Sequence, residues 1–171
     1  MAKIFFFLKT LLARTFWRQT IVFLKNYMSS NVMAIHRLRH LGKESHIAPS
    51  VKFAHPEHIT IGDRSDIGSQ THIYAGRESR ITIGSNTLIG PFVFITSDSF
   101  SKSKFELTES HSGHQADIAI GNNVRIGAHS VILPGVHVGD NVAIGAGSVV
   151  TRDIPGGKIA AGNPAKVIKD L

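Results

Sequence analysis

Histidines are the side chains of this sequence best suited to proton transfer. There are ten of them, and there is no cysteine. An imidazole titrates near neutral pH, so a positioned histidine can take a proton from a weakly acidic hydroxyl group. His111 and His114 stand three residues apart in a long polar stretch, and His72 precedes an isoleucine of a regular pattern. Disulfides, thiolate catalysis and cysteine-based metal sites are excluded.

The elements that must position these histidines are indicated by a six-residue repeat. Aliphatic residues stand at every sixth position from Ile120 to Val150, and glycine follows four of these six residues. A period of six fits neither an α-helix nor a simple amphipathic strand, so it indicates stacked structural repeats. One inward aliphatic residue per repeat, with glycine for a tight corner or a close backbone approach, predicts a parallel β-solenoid. The same spacing recurs upstream at Ile61, Ile67, Ile73 and at Ile83, Ile89, Ile95.

The larger unit is a coil of three hexapeptides. A phrase of two aliphatic residues around one variable position, then glycine and a small polar residue, begins at Ile59, Ile81, Ile118 and Val136. The last two copies are 18 residues apart, which predicts a three-sided coil. A sandwich of short strands would need hairpin loops, and strict six-residue spacing leaves no room for them. We therefore expect an all-β solenoid over residues 44–171, with a weaker first coil over 46–58 as its cap.

Two insertions interrupt the repeat. About four extra residues, within Ala75 to Arg80, separate Ile73 from Ile83 and should bulge from one corner. A longer insertion, residues 97–117, separates Ile95 from Ile120 and contains His111 and His114. Long segments without periodicity in a compact repeat domain are usually functional or disordered.

Residues 1–43 form a segment of different character. They hold eight Lys and Arg and no acidic residue, whereas residues 44–171 hold eleven Lys and Arg and twelve Asp and Glu. Because the solenoid is nearly neutral, a nucleic-acid partner is not expected. Residues 4–28 predict a helix that has Lys3, Arg14, Arg18 and Lys25 near one another and a broad face of Phe and Leu, with Lys9 opposite.

Two roles remain open for this segment. A basic amphipathic helix with aromatic residues is typical of contact with an anionic membrane, here through residues 1–28. The alternative is packing on the solenoid or its oligomer. No apolar stretch is long enough to span a membrane, and no secretory cleavage site follows one. We expect a cytoplasmic protein, at the inner face of the membrane if the helix binds lipid.

The C-terminal motifs resemble those of a known family. Ile132-Leu133-Pro134-Gly135-Val136, the run from Ile144 to Pro155, and Ala160-Ala161-Gly162-Asn163-Pro164-Ala165 are similar to the C-terminal signature of hexapeptide-repeat acyltransferases. The nearest branch is the sugar O-acetyltransferases of the maltose and galactoside type. The resemblance covers about residues 59 to 171. It implies a left-handed parallel β-helix, a homotrimer with active sites between neighbouring prisms, and acetyl-CoA as co-substrate, with no metal required.

The resemblance also assigns cofactor-binding positions. The pantetheine arm and adenine of CoA are expected to lie against small residues, and two cations are expected to meet the CoA phosphates. The small or short residues are Ala128, Gly145, Ala146, Thr151, Ala160 and Ala161, and the cations are Arg152 and Lys166.

The long insertion departs from the family pattern. Relatives usually carry a histidine near its start, which deprotonates the sugar hydroxyl for direct attack on the thioester, and backbone N–H groups can hold the oxyanion. Ser99 and Phe100 stand at that position here. The base is therefore expected to be His114, with His111 second and His72 third.

The acceptor site is expected to differ as well. Arg125 stands where many relatives carry a tryptophan that lines the acceptor site. Together with Asp98 and Phe100, Arg125 is expected to face the acceptor. A cation at this position favours an altered acceptor, for example an anionic one.

The predicted function is acetyl-CoA-dependent O-acetyl transfer to a saccharide hydroxyl in cell-surface polysaccharide or glycolipid biosynthesis. An N-acetyltransferase acting on an amino sugar or nucleotide-amino-sugar shares the fold and the base. A trimeric scaffold with impaired catalysis is a third reading, because the usual loop histidine is absent. A γ-type carbonic anhydrase on the same solenoid needs zinc-ligand histidines that include a pair five apart, and the sequence has none.

Overall fold

A computed structural model describes residues 14–99 and 114–171, which form a parallel β-helix preceded by helices. The solenoid predicted from the repeats is confirmed, and its three parallel sheets are the faces of a prism. Face 1 contains β1 (His40–Leu41), β4 (Ile59–Ile61), β7 (Ile81–Ile83), β12 (Ile118–Ile120) and β15 (His137–Val138). Face 2 contains β2 (His46–Ile47), β5 (Asp66–Ile67), β8 (Leu88–Ile89), β13 (Arg125–Ile126), β16 (Ala143–Ile144), β18 (Lys158–Gly162) and the antiparallel edge strand β19 (Ala165–Asp170). Face 3 contains β3 (Lys52–Ala54), β6 (His72–Tyr74), β9 (Phe94–Thr96), β14 (Val131–Ile132) and β17 (Val149–Val150).

Successive coils stack in a register that places inward aliphatic residues opposite one another. Ile120 pairs with Val138, one regular coil of 18 residues further along. Ile61 pairs with Ile83, 22 residues along, and Ile83 pairs with Ile120, 37 residues along. The extra residues all fall after a face 3 strand and before a face 1 strand. Every insertion therefore leaves and rejoins the prism at one corner.

The core combines aliphatic side chains with buried hydroxyl groups. The inward isoleucines are almost fully buried, as expected. A second position, two residues before each of them, is also buried and is often Ser or Thr. The hydroxyls of Ser65 and Thr71 each donate, at 2.9 Å, to the carbonyl oxygen of a glycine on the next coil. Because these hydroxyls are hydrogen-bonded, their burial costs little.

The glycines that follow the inward aliphatic residues allow the coils to approach closely. A Cβ at Gly84 would lie 2.6 Å from the carbonyl carbon of Gly121, and a Cβ at Gly90 would lie 2.8 Å from the backbone nitrogen of Ala128. The turn itself is made two residues later by a residue of positive φ, as at Asn86 (φ 54°). Of the two alternatives expected for these glycines, close backbone approach is confirmed, and the left-handed turn conformation falls two residues later.

The N-terminal helices differ in how they pack. They are α1 (Arg14–Tyr27), a π-helix (Met28–Val32) and α2 (Met33–His36). Ala34 of α2 is buried, and Ile35 packs on the core, so α2 caps the prism. Residues 46–58 lie in the first coil, as expected, and this coil begins with β1 and packs against α2. No helix in the described residues is long and apolar enough to cross a membrane.

Candidate functional site

Insertions stack at the corner between faces 3 and 1, which we call the insertion corner. They are residues 55–58, residues 75–80 and the described parts of the long insertion, residues 97–99 and 114–117. Nδ1 of His58 lies 2.9 Å from the carbonyl oxygen of Gly76, and the Gly76 N–H donates to Oγ of Ser97 at 2.9 Å. The N–H of Glu78 donates to Oε1 of Gln115 at 2.8 Å. The base of the long insertion is therefore fixed by the two coils beneath it.

A buried pair of serines connects the two larger insertions. Oγ of Ser79 lies 2.7 Å from Oγ of Ser97, and these residues are 1% and 0% exposed. The backbone N–H of Ser97 donates to the carbonyl oxygen of Tyr74, and the N–H of Ala116 donates to the carbonyl oxygen of Ser97. Sequence reasoning missed this pair. Its only sequence signal is the position of one serine near the end of the shorter insertion and one at the start of the longer.

The long insertion leaves the prism as a two-stranded antiparallel ribbon. Its strands are β10 (Asp98–Ser99) and β11 (His114–Gln115), and Ser99 lies opposite His114. His114 is exposed on this ribbon and Asp98 is half-buried. Phe100 and His111, expected at the acceptor and as a base, lie outside the described residues.

An aromatic patch lies on the outer side of face 3, beside the insertion corner. It consists of His72, Tyr74 and Phe94, which are all half-buried. The rings of His72 and Tyr74 stack with centroids 5.3 Å apart, and Phe94 meets Tyr74 edge to face at 5.5 Å. In the β6–β9 register Tyr74 lies opposite Thr96, two residues before Asp98. The patch therefore adjoins the start of the ribbon.

Burial changes the acid–base properties of the aromatic patch. Desolvation lowers the pKa of His72 below its usual 6.5, and the positive charge of Lys52 lowers it further. Desolvation raises the pKa of Tyr74. His72 is therefore held as a neutral imidazole at neutral pH, the form that can accept a proton.

The predicted cofactor residues divide between two parts of the chain. Ala128 and Ala146 lie at the corner between faces 2 and 3, which we call the small-residue corner, and the N–H of Gly147 donates to the carbonyl oxygen of Ala128 at 2.8 Å. Of the remaining small residues, Gly145 and Ala161 lie next to this corner on successive coils, and Ala160 lies inside the prism. A Cβ at Gly145 would lie 2.8 Å from Cβ of Ala161, whereas the side chain of Ala160 is fully buried in the core, so only its backbone could face a ligand.

The other predicted cofactor residues are exposed. Thr151 and Arg152 follow β17 at the insertion corner, and Lys166 lies opposite Ala161 in the β18–β19 pair. One chain therefore brings Ala128, Gly145, Ala146, Ala161 and Lys166 to one side of the prism and places Thr151 and Arg152 at another corner.

The predicted acceptor residues are also separated within one chain. Arg125 is exposed on the outer side of face 2, between Leu88 and Ala143 in the strand register, whereas Asp98 lies at the insertion corner. The described part of the chain contains no group of three or more His, Cys, Asp or Glu side chains placed to hold a metal ion.

Comparison with known proteins agrees with the fold. Residues 117–152 match the family model described as bacterial transferase hexapeptide (six repeats). Galactoside O-acetyltransferase of Escherichia coli (strain K12) is 39% identical over 131 residues, which are 77% of this chain and 63% of that protein. Nodulation protein L of Rhizobium meliloti (strain 1021) is 40% identical over 134 residues, with coverage of 71% and 68%. The structure of a galactoside acetyltransferase in complex with coenzyme A superposes with a TM-score of 0.73 at 36% identity, covering 81% of this chain and 68% of that chain.

The three-faced prism with a ribbon at one corner is a hexapeptide-repeat solenoid. The chain belongs to the bacterial hexapeptide transferase family. It spans about three fifths of the length of galactoside O-acetyltransferase.

Proposed function

We propose that this protein is an acetyl-CoA-dependent O-acetyltransferase that acts on a saccharide hydroxyl. The observation that carries the proposal is the small-residue corner, where Ala128 and Ala146 hold equivalent positions on successive coils and Ala161 lies beside Gly145 on the next coil. Such a column suits a thin, extended chain such as pantetheine. Two similarities support it: a structure with this fold at 36% identity holds coenzyme A, and a relative at 39% identity is a galactoside O-acetyltransferase.

The proposed reaction needs one general base. A neutral imidazole takes the proton of a sugar hydroxyl while the oxygen attacks the thioester carbonyl carbon. Backbone N–H groups stabilise the tetrahedral oxyanion. The C–S bond then breaks, and the CoA sulfur leaves as a thiolate that takes up the proton. His114 is our first candidate for the base, followed by His111, and the half-buried position and lowered pKa of His72 support it as a further candidate.

We further propose that the active unit is a homotrimer. Arg125 and Asp98 lie on different parts of the prism, and Arg152 lies at another corner than Ala146. A second copy whose insertion corner faces the small-residue corner of the first would bring these sets together. The proposal includes a cytoplasmic location, with the basic segment 1–28 in peripheral contact with an anionic membrane.

The test is acetyl transfer from acetyl-CoA to a panel of free sugars, amino sugars and glycans, followed by thiol release and by the acetylated position in the product. His114→Ala should lower kcat roughly 100-fold, the range typical of general-base loss, while CoA affinity changes little. His72→Ala should have a smaller effect. If both variants keep the wild-type kcat, neither histidine is the base.

The panel also separates the alternatives. Products with an amide bond to an amino sugar would support N-acetylation in place of O-acetylation. CoA binding without transfer to any acceptor would support a scaffold. Sedimentation of a monomer that still turns over acetyl-CoA would contradict the proposed interface between copies.

A further inference from the structure

Helix α1 presents an apolar face to solvent. Trp17, Ile21, Phe23 and Leu24 are between 51% and 66% exposed, and α1 buries none of its side chains against the described residues. At about 100° per residue, these four side chains fall within an arc of about 160°. An exposed apolar face on an amphipathic helix usually marks a surface that binds a membrane or another molecule.

The charges of α1 identify the kind of occupant. Arg14, Arg18 and Lys25 fall within about 40° of one another, along one border of the apolar arc. No acidic residue occurs anywhere in residues 1–43. Aromatic and aliphatic side chains beside a row of cations match the acyl boundary and headgroups of an anionic lipid surface. An anionic lipid surface is therefore the best match for the apolar face of α1 and the cations beside it.

The aromatic patch lies close to this end of the molecule. The π-helix that follows α1 contacts β3, the first rung of face 3. His72 lies on the next rung of that face and Phe94 on the one after it. Because rungs are roughly 4.8 Å apart, the patch extends to roughly 10 Å from the rung that the π-helix touches. A sugar on the patch could therefore remain attached to a lipid in the membrane beneath α1.

Lys52 lies between the helices and the patch. It stands on β3 directly opposite His72 in the strand register, and its side chain is exposed. Lys52 forms no ion pair with any residue in the described ranges. A free cation at this point is suited to a phosphate group, which binds strongly to charged donors.

We propose that the acceptor is a saccharide carried on a membrane lipid through a phosphate or diphosphate group. In this arrangement α1 lies on the membrane, Lys52 pairs with the phosphate, and the first sugar lies against Tyr74 and Phe94. The proposal rests on the proposed function, since the sugar receives an acetyl group only if the protein is an acetyltransferase.

The experiment compares three forms of one sugar: the free sugar, its nucleoside diphosphate conjugate in solution, and its polyprenyl diphosphate conjugate in vesicles of phosphatidylcholine and phosphatidylglycerol. The full-length protein is assayed for acetyl transfer, and kcat/KM is measured for each acceptor. We expect the vesicle-borne acceptor to be preferred over the free sugar by tenfold or more. Equal kcat/KM for these two acceptors would overturn the proposal.

Two sets of variants assign the preference to its parts. The triple variant Arg14→Gln, Arg18→Gln, Lys25→Gln should no longer sediment with the vesicles and should lose the preference. The control triple Lys43→Gln, Arg64→Gln, Lys169→Gln removes the same charge from exposed sites elsewhere and should keep both properties. Equal vesicle binding by the two triples would contradict docking through α1.

Lys52→Gln should lower the preference for the lipid-linked sugar over the free sugar about tenfold, as expected for loss of a charge-assisted hydrogen bond. The matched control is Lys43→Gln, at the same end of the prism but at the corner between faces 1 and 2. If the two variants behave alike, Lys52 does not bind the phosphate.

The remaining outcomes are distinct. If the nucleoside conjugate is acetylated as well as the lipid conjugate and the α1 triple has no effect, the phosphate is recognised but its carrier is not a lipid, and the membrane part of the proposal is wrong. If no acceptor in any form releases CoA, the proposed function itself fails.

Discussion

Replacing Ser97 by alanine should destabilise the insertion corner more than any other single hydroxyl deletion there. Oγ of Ser97 accepts the backbone N–H of Gly76 at 2.9 Å and lies 2.7 Å from Oγ of Ser79. All of these atoms are buried, so water cannot replace the lost oxygen. Ser97→Ala would therefore leave the Gly76 N–H without a partner.

The magnitude follows from which groups lose their partners. An unsatisfied buried donor costs about 1–3 kcal/mol. The Ser79 hydroxyl keeps a second acceptor, the carbonyl oxygen of Ser97 at 3.1 Å. We therefore expect Ser97→Ala to lower the free energy of unfolding by about 2 kcal/mol. Ser79→Ala leaves the Gly76 N–H bonded to Ser97, so its cost should be about 1 kcal/mol.

The assay is urea denaturation followed by far-UV circular dichroism, with Ser69→Ala as the control. Ser69 is exposed, and its removal should change the free energy of unfolding by less than about 0.5 kcal/mol. The order Ser97→Ala, Ser79→Ala, Ser69→Ala is the result to check. If Ser97→Ala unfolds at the same urea concentration as Ser69→Ala, the buried pair does not stabilise the corner.

Three further predictions follow from the coils, the aromatic patch and the small-residue corner. Gly84→Ala places a Cβ 2.6 Å from the backbone of Gly121 and should lower the free energy of unfolding by about 3 kcal/mol. The Cβ of Gly157→Ala meets no atom within 4 Å, so this variant should lose only about 1 kcal/mol, for its φ of +71°. Thermal melts of the two variants check the difference. Because the folded-state pKa of His72 lies below its usual 6.5, the unfolded chain takes up this proton first as the pH falls. The free energy of unfolding should therefore decrease as the pH falls from about 7, until the folded-state pKa of His72 is passed. Urea denaturation of the His72→Gln variant at the same pH values should not show this part of the decrease. Ala146→Leu should abolish CoA binding in calorimetry and leave the melting temperature unchanged, since Ala146 is exposed; retained CoA affinity would show that the cofactor does not lie at this corner.

The repeat predicts much of this fold because a coil of three hexapeptides has only one simple register. Once Ile120 and Val138 are 18 residues apart, their pairing and the three faces follow. The inward hydroxyls could have been predicted as well, since Ser65, Thr71 and Thr87 all stand two residues before an inward aliphatic residue. The closing of the prism by α2 could not be predicted, because few residues make the contact and they show no hydrophobic periodicity. These residues are Ala34 and Ile35 of α2 and Leu38 just after it.

The candidate site was predicted less completely than the fold. The resemblance assigns cofactor positions one by one and does not say that Ala146 and Arg152 lie at different corners of one chain. The Ser79–Ser97 pair depends on two insertions of unequal length meeting in space, which no local pattern encodes. The lowered pKa of His72 depends on its partial burial and on the charge of Lys52, and the strand register alone brings Lys52 opposite it.

Because every insertion lies at one corner, the lengths of the insertions can vary while the coils keep their register. The coils are held by backbone pairing and inward aliphatic residues on three faces, and none of these contacts requires a particular length of chain between faces 3 and 1. The offset of 37 residues between Ile83 and Ile120 is therefore tolerated without any change of register on the other faces. The base of the proposed reaction could therefore stand on the far strand of the ribbon, as at His114, or on a rung of face 3, as at His72, since both adjoin the insertion corner and neither position changes the register of the coils.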